Sequence, residues 1–233
     1  MKFRFLSLLL RFSALVSRFS FKHFNFRGSY HPSIDGDRKG RRSSSIMRME
    51  CVTEAIGGTG VSVLDVGCAE GLFSIALAQK GCFVVGLEGK TSRVIQAYAD
   101  ANKVGIKNIV FMNVNVDAPL ASSLPKFDYI VLLAVWHHMV KRGSLAEATD
   151  NLRQLWLKCD KGLVFETGLI ELSADFGLKG KDEKWLLQYL QDVLNPSEIN
   201  VLGKFESFDS SAFISENEKS GGEFLRPIFL LRK

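Results

Sequence analysis

The nine residues Val63-Leu-Asp-Val-Gly-Cys-Ala-Glu-Gly71 constrain this chain more than any other stretch. VSVLDV (61–66) is a short apolar run of strand length. It leads into Gly67-x-x-x-Gly71, and Leu72–Lys80 follows at once with a helical pattern that Gly81 stops. Glycines at such a turn let backbone approach a ligand closely. The helix start presents unpaired N–H groups to it. Asp65 sits two residues before the first glycine, at the strand's carboxyl end.

The same alternation continues downstream. Phe83–Glu88 reads as a strand, Thr91–Asn102 as a helix capped by Thr91, and Asn108–Asn113 as a third strand. Tyr129–Ala134 is an uninterrupted apolar run, the pattern of a strand buried on both faces. Ser144-Leu-Ala-Glu147 is a capping box opening a helix to about Lys158. Leu163–Glu166 is a fifth strand, and Asp182–Leu194 is a helix stopped by Pro196. Two late strands, near 199–208 and 227–231, have no helix between them and can pair antiparallel. Strands alternating with helices predict an α/β fold: an open, mostly parallel sheet with helices on both faces.

Charge divides the chain. Residues 1–50 hold eleven Lys/Arg against three acids, and residues 51–233 hold nineteen against twenty-two. The basic excess therefore belongs to the leader, and a nucleic-acid groove across the domain gains no support. Residues 1–24 form a predicted cationic amphipathic helix. Arg4, Arg11, Arg18 and Lys22 fall on one stripe, with Phe5, Leu8, Leu9, Phe12, Leu15, Val16 and Phe19 mainly away from it. Such a helix suits an anionic membrane surface. A mitochondrial import signal, packing on a partner, and a poorly ordered extension are the alternatives. Residues 25–45 read as a connector, with His23 and His31 as surface residues, and 46–233 as the domain. The four cysteines lack any C-x-x-C spacing, which points to reduced thiols in a cytosol-like compartment.

The turn also selects its ligand. A dinucleotide fingerprint would read G-x-G-x-x-G, and a phosphate loop would need Lys and Ser/Thr after the last glycine, where Leu72-Phe73 stands. An acid before the turn repels a pyrophosphate and favours a cation, such as a ligand bearing an ammonium and a sulfonium. That points to S-adenosylmethionine. The stretch VLDVGCAEGLFSIALAQKG (63–81) resembles the first motif of the class I S-adenosylmethionine-dependent methyltransferases. The resemblance continues through VVGLEG (84–89), NVNVD (113–117) and FDYIVLLAVWHHM (127–139), and covers about 45–233. FDYIVLLAVWHHM with LVFET (163–167) is also similar to carboxymethyl-transferring enzymes of tRNA wobble uridine.

The family resemblance implies a Rossmann-like, seven-stranded sheet whose last strand is antiparallel. It places Asp65, Gly67, Ala69 and Gly71 around the cofactor's methionine part. Glu88 would accept from both ribose hydroxyls, and Asn115, where the family often has Asp, would touch the adenine amino group with Val116 against the ring. In an open parallel sheet, ligands bind outside the strands' carboxyl ends. Asp65–Gly71, Glu88, Asn115, Trp136–His138 and Glu166 all fall at or just beyond such ends.

His137 and His138 are candidate general bases, and Glu166 is a second candidate. No acid/His cluster has metal-ligand spacing, so no metal is expected. Cys68 reads as a neutral lining residue. The predicted function is methyl transfer to an O or N nucleophile of a small-molecule, glycan or lipid acceptor. A tRNA-modifying transferase, a cofactor-binding protein without turnover, and an NAD oxidoreductase are the competing readings, the last disfavoured by glycine spacing.

Overall fold

A computed structural model describes residues 31–36, 44–168, 178, 181–206 and 225–233. The strands belong to a seven-stranded sheet of order β3-β2-β1-β4-β5-β7-β6, and the chain divides into two compact units, 1–116 and 117–233. The leader 1–24 lies outside the described residues, as do the segments 169–177 and 207–224.

The first unit holds α1 (Ser45–Ile56), β1 (Ser62–Val66), α2 (Leu72–Gln79), β2 (Phe83–Glu88), α3 (Thr91–Lys103) and β3 (Ile109–Asn113). Its three strands are parallel, with Asp65 opposite Gly86 and Glu88 opposite Asn113. Helix α2 is mostly apolar, and every residue from Leu72 to Ala78, the polar Ser74 included, is buried. Gly86 is where the sheet takes a close neighbour: a Cβ there would lie 2.7 Å from Phe111 Cδ1 and 2.9 Å from Cys68 Sγ. Strand β3 ends the sheet order, and its exposed ladder position is filled locally. The Tyr98 hydroxyl donates to the Phe111 carbonyl at 2.7 Å and accepts the Phe111 N–H at 3.1 Å.

Three features of this unit differ from the sequence expectation. Helix α1 was not anticipated, because three of the five residues on its buried face, Ser45, Arg48 and Thr53, are polar and weaken its apolar period. Thr91 begins α3 but does not cap it; its hydroxyl donates to Asn113 Oδ1 at 2.8 Å. His31 is buried, not a surface residue: its Nδ1 lies 2.9 Å from Ser45 Oγ, and its ring meets Phe73 edge-on. Residues 31–36 are thus fastened to the fold at both ends, with Asp35 paired to Lys103 at 2.5 Å.

The second unit holds α4 (Ala118–Ser123), β4 (Phe127–Leu133), α5 (Trp136–Arg142), α6 (Leu145–Leu157), β5 (Cys159–Glu166), α7 (Glu183–Leu194), β6 (Glu198–Glu206) and β7 (Leu225–Arg232). Strand β5 runs parallel to β4 and antiparallel to β7, and β6 pairs antiparallel with β7. The last strand in sequence is therefore the reversed one, as expected. Ser144 Oγ accepts the Glu147 N–H at 3.1 Å, fulfilling its half of the capping box. Asp182 caps α7 by accepting the Trp185 N–H, and Asn195 ends it in the left-handed region at φ 47° before Pro196. The chain end is held down: Arg232 Nη1 donates to the Tyr129 hydroxyl at 3.1 Å, and Lys233 Nζ stands 4.1 Å from the Trp156 ring centre.

Phe165, on β5, is wholly buried and packs edge-on against Trp136, itself at 0 % exposure. Phe165→Ala should cost about 3–5 kcal/mol, the range for truncating a buried aromatic ring. Urea denaturation measures it, and a loss below about 1 kcal/mol would show that this is not the unit's core.

Candidate active site

In the first unit the glycine turn is built by three left-handed residues, Gly67 (φ 74°), Ala69 (φ 49°) and Gly71 (φ 81°). The Gly67 and Cys68 N–H groups donate to the Leu87 carbonyl at 2.7 and 3.0 Å, which anchors the turn to β2. Gly71 has no room for a side chain, since a Cβ would meet Phe111 Cζ at 2.8 Å. Ala69 is a non-glycine residue in a region that costs roughly 1–2 kcal/mol. Its N–H donates to Glu88 Oε2 at 3.1 Å. The other Glu88 oxygen accepts the Lys90 N–H at 2.8 Å. The carboxylate at the end of β2 is thereby fixed over the turn. Beside it, the Asn113 amide donates to the Glu88 carbonyl at 2.9 Å, and a Cβ on Gly89 would collide with the Asn115 amide. Asn115 is exposed and Val116 is buried.

Asp65 is 4 % exposed and accepts from Ser74 Oγ at 2.5 Å. Burial pushes its carboxyl up to about 7, the Ser74 hydroxyl pulls it down, and Glu88 adds to the rise. Burial, then the Asp65 and Glu88 carboxylates, push the Cys68 thiol well up, which keeps it neutral as a lining group.

Sequence reasoning missed four side chains of this neighbourhood. Ser74 is the first. Glu70 is buried and accepts the His31 N–H at 3.4 Å. Arg93 stands between two acids, 3.9 Å from Glu70 and 3.8 Å from Glu88. Arg48 lies on the buried face of α1 with Ser45, Val52, Thr53 and Ile56, a face whose helical spacing was the one available signal.

In the second unit Trp136, His137 and His138 open α5, just past the end of β4, and Glu166 is the last residue of β5. Trp136 is core. His137 is buried, and its Nδ1 accepts the Gly168 N–H at 3.3 Å with Thr167 Oγ1 also at 3.3 Å. A backbone N–H can only donate, so in the neutral ring the hydrogen sits on Nε2. His138 is exposed, its ring 4.2 Å from that of His137. Glu166 is wholly buried. Among the described residues no group of three or more His, Cys, Asp or Glu could hold a metal ion.

An open parallel sheet with a glycine turn after its first strand and an acid ending its second defines a Rossmann-like nucleoside-binding protein. Residues 58–156 match the family model described as a methyltransferase domain. The chain is 30 % identical over 160 residues to the O-antigen chain terminator bifunctional methyltransferase/kinase WbdD of Escherichia coli, a match covering 66 % of this chain and 22 % of that protein. It is 30 % identical over 103 residues to the ubiquinone biosynthesis O-methyltransferase of Pseudomonas fluorescens, covering 44 % of each. The chain thus spans less than half of these relatives.

Among solved structures, WbdD superposes with a TM-score of 0.66 at 19 % identity, over 95 % of this chain and 45 % of that one. Magnesium protoporphyrin IX methyltransferase from Synechocystis PCC 6803, with S-adenosylmethionine bound, gives 0.53 at 19 % identity, over 80 % and 78 %. These matches show a methyltransferase-domain match over 58–156 and, with the sheet and turn above, the Rossmann-like fold of the class I S-adenosylmethionine-dependent methyltransferases.

The Asp65 carboxyl titrates higher folded than unfolded, so the stability it lends is full below about pH 4 and is lost as pH rises through about 7. Unliganded protein should lose up to about 4 kcal/mol from this source between pH 4 and 8. Asp65→Asn should flatten that slope in denaturation curves. An unchanged slope would mean Asp65 is not the titrating group.

Proposed function

We propose that this chain transfers a methyl group from S-adenosylmethionine to an oxygen or nitrogen of a small-molecule or glycan acceptor. The observation that carries the reading is the Glu88 carboxylate, fixed at the end of β2 across the glycine turn. An acid held there can accept from a vicinal diol, and Glu88 takes the ribose hydroxyls. Gly67, Ala69 and Gly71 give the cofactor its close approach to backbone, and Asn115 with Val116 takes the adenine. Asp65 offsets the positive charge of the cofactor's methionine end. A bound cation would favour its ionised form, which fits a carboxyl poised near neutrality.

The cofactor supplies an activated methyl on sulfur, displaced in line by the acceptor's lone pair. What remains for the protein is alignment and a destination for the acceptor's proton. Of the candidates, His138 is assigned that role, because its ring is exposed. His137 carries a hydrogen-bonded Nδ1 and positions the Thr167–Gly168 backbone, and Glu166 is a buried support at the end of β5. The relatives named above carry glycan and quinone names, which supports a small-molecule or glycan acceptor. The leader 1–24 extends the proposal to a lipid-linked acceptor at an anionic membrane face, with the domain itself on the cytoplasmic side. Among the described residues no helix is long and apolar enough to cross a membrane.

Glu88→Ala should weaken S-adenosylmethionine binding by about 1–3 kcal/mol in calorimetry, the cost of losing a charged acceptor. A change near zero would put the ribose elsewhere. The full chain should sediment with phosphatidylglycerol vesicles, and the form lacking 1–24 should stay in the supernatant. Equal sedimentation of both would sink the membrane assignment.

A further inference from the structure

Helix α1 buries Ser45, Arg48, Val52, Thr53 and Ile56, and its opposite side faces out. On that side Ile46 and Met47 are 40 % and 58 % exposed and flank two exposed acids, Glu50 and Glu54. Between α1 and the end of α2 lies a groove of about 430 Å³. Its lining includes the buried Thr53 and Ala76, the half-buried Met49, and the exposed Glu50, Glu54 and Lys80. Lys80 offsets one of the two negative charges and leaves the groove acidic. Among the described residues neither Glu50 nor Glu54 forms an ion pair. None of these side chains belongs to the proposed cofactor contacts.

Charge and reach both name the leader as the occupant. Arg18 and Lys22 are four positions apart, as are Glu50 and Glu54, so on two helices each pair spans about one turn, roughly 6 Å. Leu15, Val16 and Phe19 lie beside that basic pair on the predicted leader helix, as Ile46 and Met47 lie beside the acids on α1. His31 is bonded to Ser45 at the start of α1. Phe24, seven positions before His31, can stand at most about 25 Å from it. Glu50 and Glu54 lie only about 8 and 14 Å along α1 from Ser45. Residues 13–24 equal α1 in length, and an antiparallel arrangement brings Lys22 to Glu50 and Arg18 to Glu54. Surface ion pairs are individually weak. A short tether, however, supplies an effective concentration of about a millimolar, so a contact too weak to hold a free peptide suffices.

We propose that the leader docks antiparallel along α1 over this groove, with Lys22 against Glu50 and Arg18 against Glu54, whenever no membrane holds it. An anionic surface competes for the same cations, so the groove and the bilayer are alternative seats for one segment. The docking does not rest on the cofactor reading. It is also separate from the membrane assignment, which the sedimentation experiment above tests by itself.

Zero-length carbodiimide coupling of lysine amines to carboxylates in the full chain, read by peptide mass spectrometry, tests it. The reagent dose is set where the Lys103–Asp35 pair couples, as an internal control. Lys22 should couple to Glu50 or Glu54 in monomer-sized protein, and more than to Asp37, which is nearer to it in sequence. Arg18→Glu should lower that yield at least about threefold, the size of one lost surface ion pair. The variant alters only the leader, so folding of the domain is not at issue. The inference is overturned if Lys22 couples to neither acid while the control pair does, or if its yield is unchanged in Arg18→Glu, as chance encounters on a tether would give. It is equally overturned if the product appears only in dimer-sized protein, which would seat the leader of a second copy there.

Discussion

The carboxylate of Glu88 ties the first unit's binding elements together. It ends β2, yet its two oxygens accept N–H groups from Ala69 in the glycine turn and from Lys90 at the start of α3. The Ala69 contact offsets a left-handed conformation that alanine would otherwise avoid. Without that acceptor, the turn has less reason to hold its shape. The same group that would take a ribose diol is thus the one that shapes the backbone beneath it, and binding and local order are not separable at this position.

The surroundings show why the turn needs support. Three acids, Asp65, Glu70 and Glu88, are buried within a few residues of one another in sequence or register. Burying like charges together is unfavourable unless each is bonded or neutralised. Ser74 bonds Asp65, the His31 backbone bonds Glu70, and Arg93 lies against both Glu70 and Glu88. Asp65 titrates high chiefly because it is buried, with Glu88 adding to the rise. Under the function proposed above, a cation bound at this turn would relieve repulsion already present in the fold.

The second unit follows a different logic. Its core aromatics, Trp136 and Phe165, are placed by the ends of β4 and β5, so the residues that follow are held on rigid supports. His137 continues this role through its bond to the Gly168 N–H. Adjacent histidines that look alike in the sequence therefore differ in the fold, one being fixed in the interior and its neighbour facing solvent.

Most of the α/β order was legible beforehand because strands and helices of this fold differ in period, and glycine, proline and capping residues punctuate them locally. Asp65, the three turn positions and Glu88 were legible for the same reason: each lies beside a strand end that the pattern marks. Helix α1, the short α5, and the roles of His31, Glu70, Ser74, Arg48 and Arg93 were not. Their meaning comes from distant partners such as His31 and Glu70, 39 positions apart, a separation no local period records. The sequence by itself determined the order of elements and the chemistry available at the strand ends. Only the tertiary structure decided which charges are buried against which partners, because desolvation and hydrogen-bond geometry depend on neighbours that are distant along the chain.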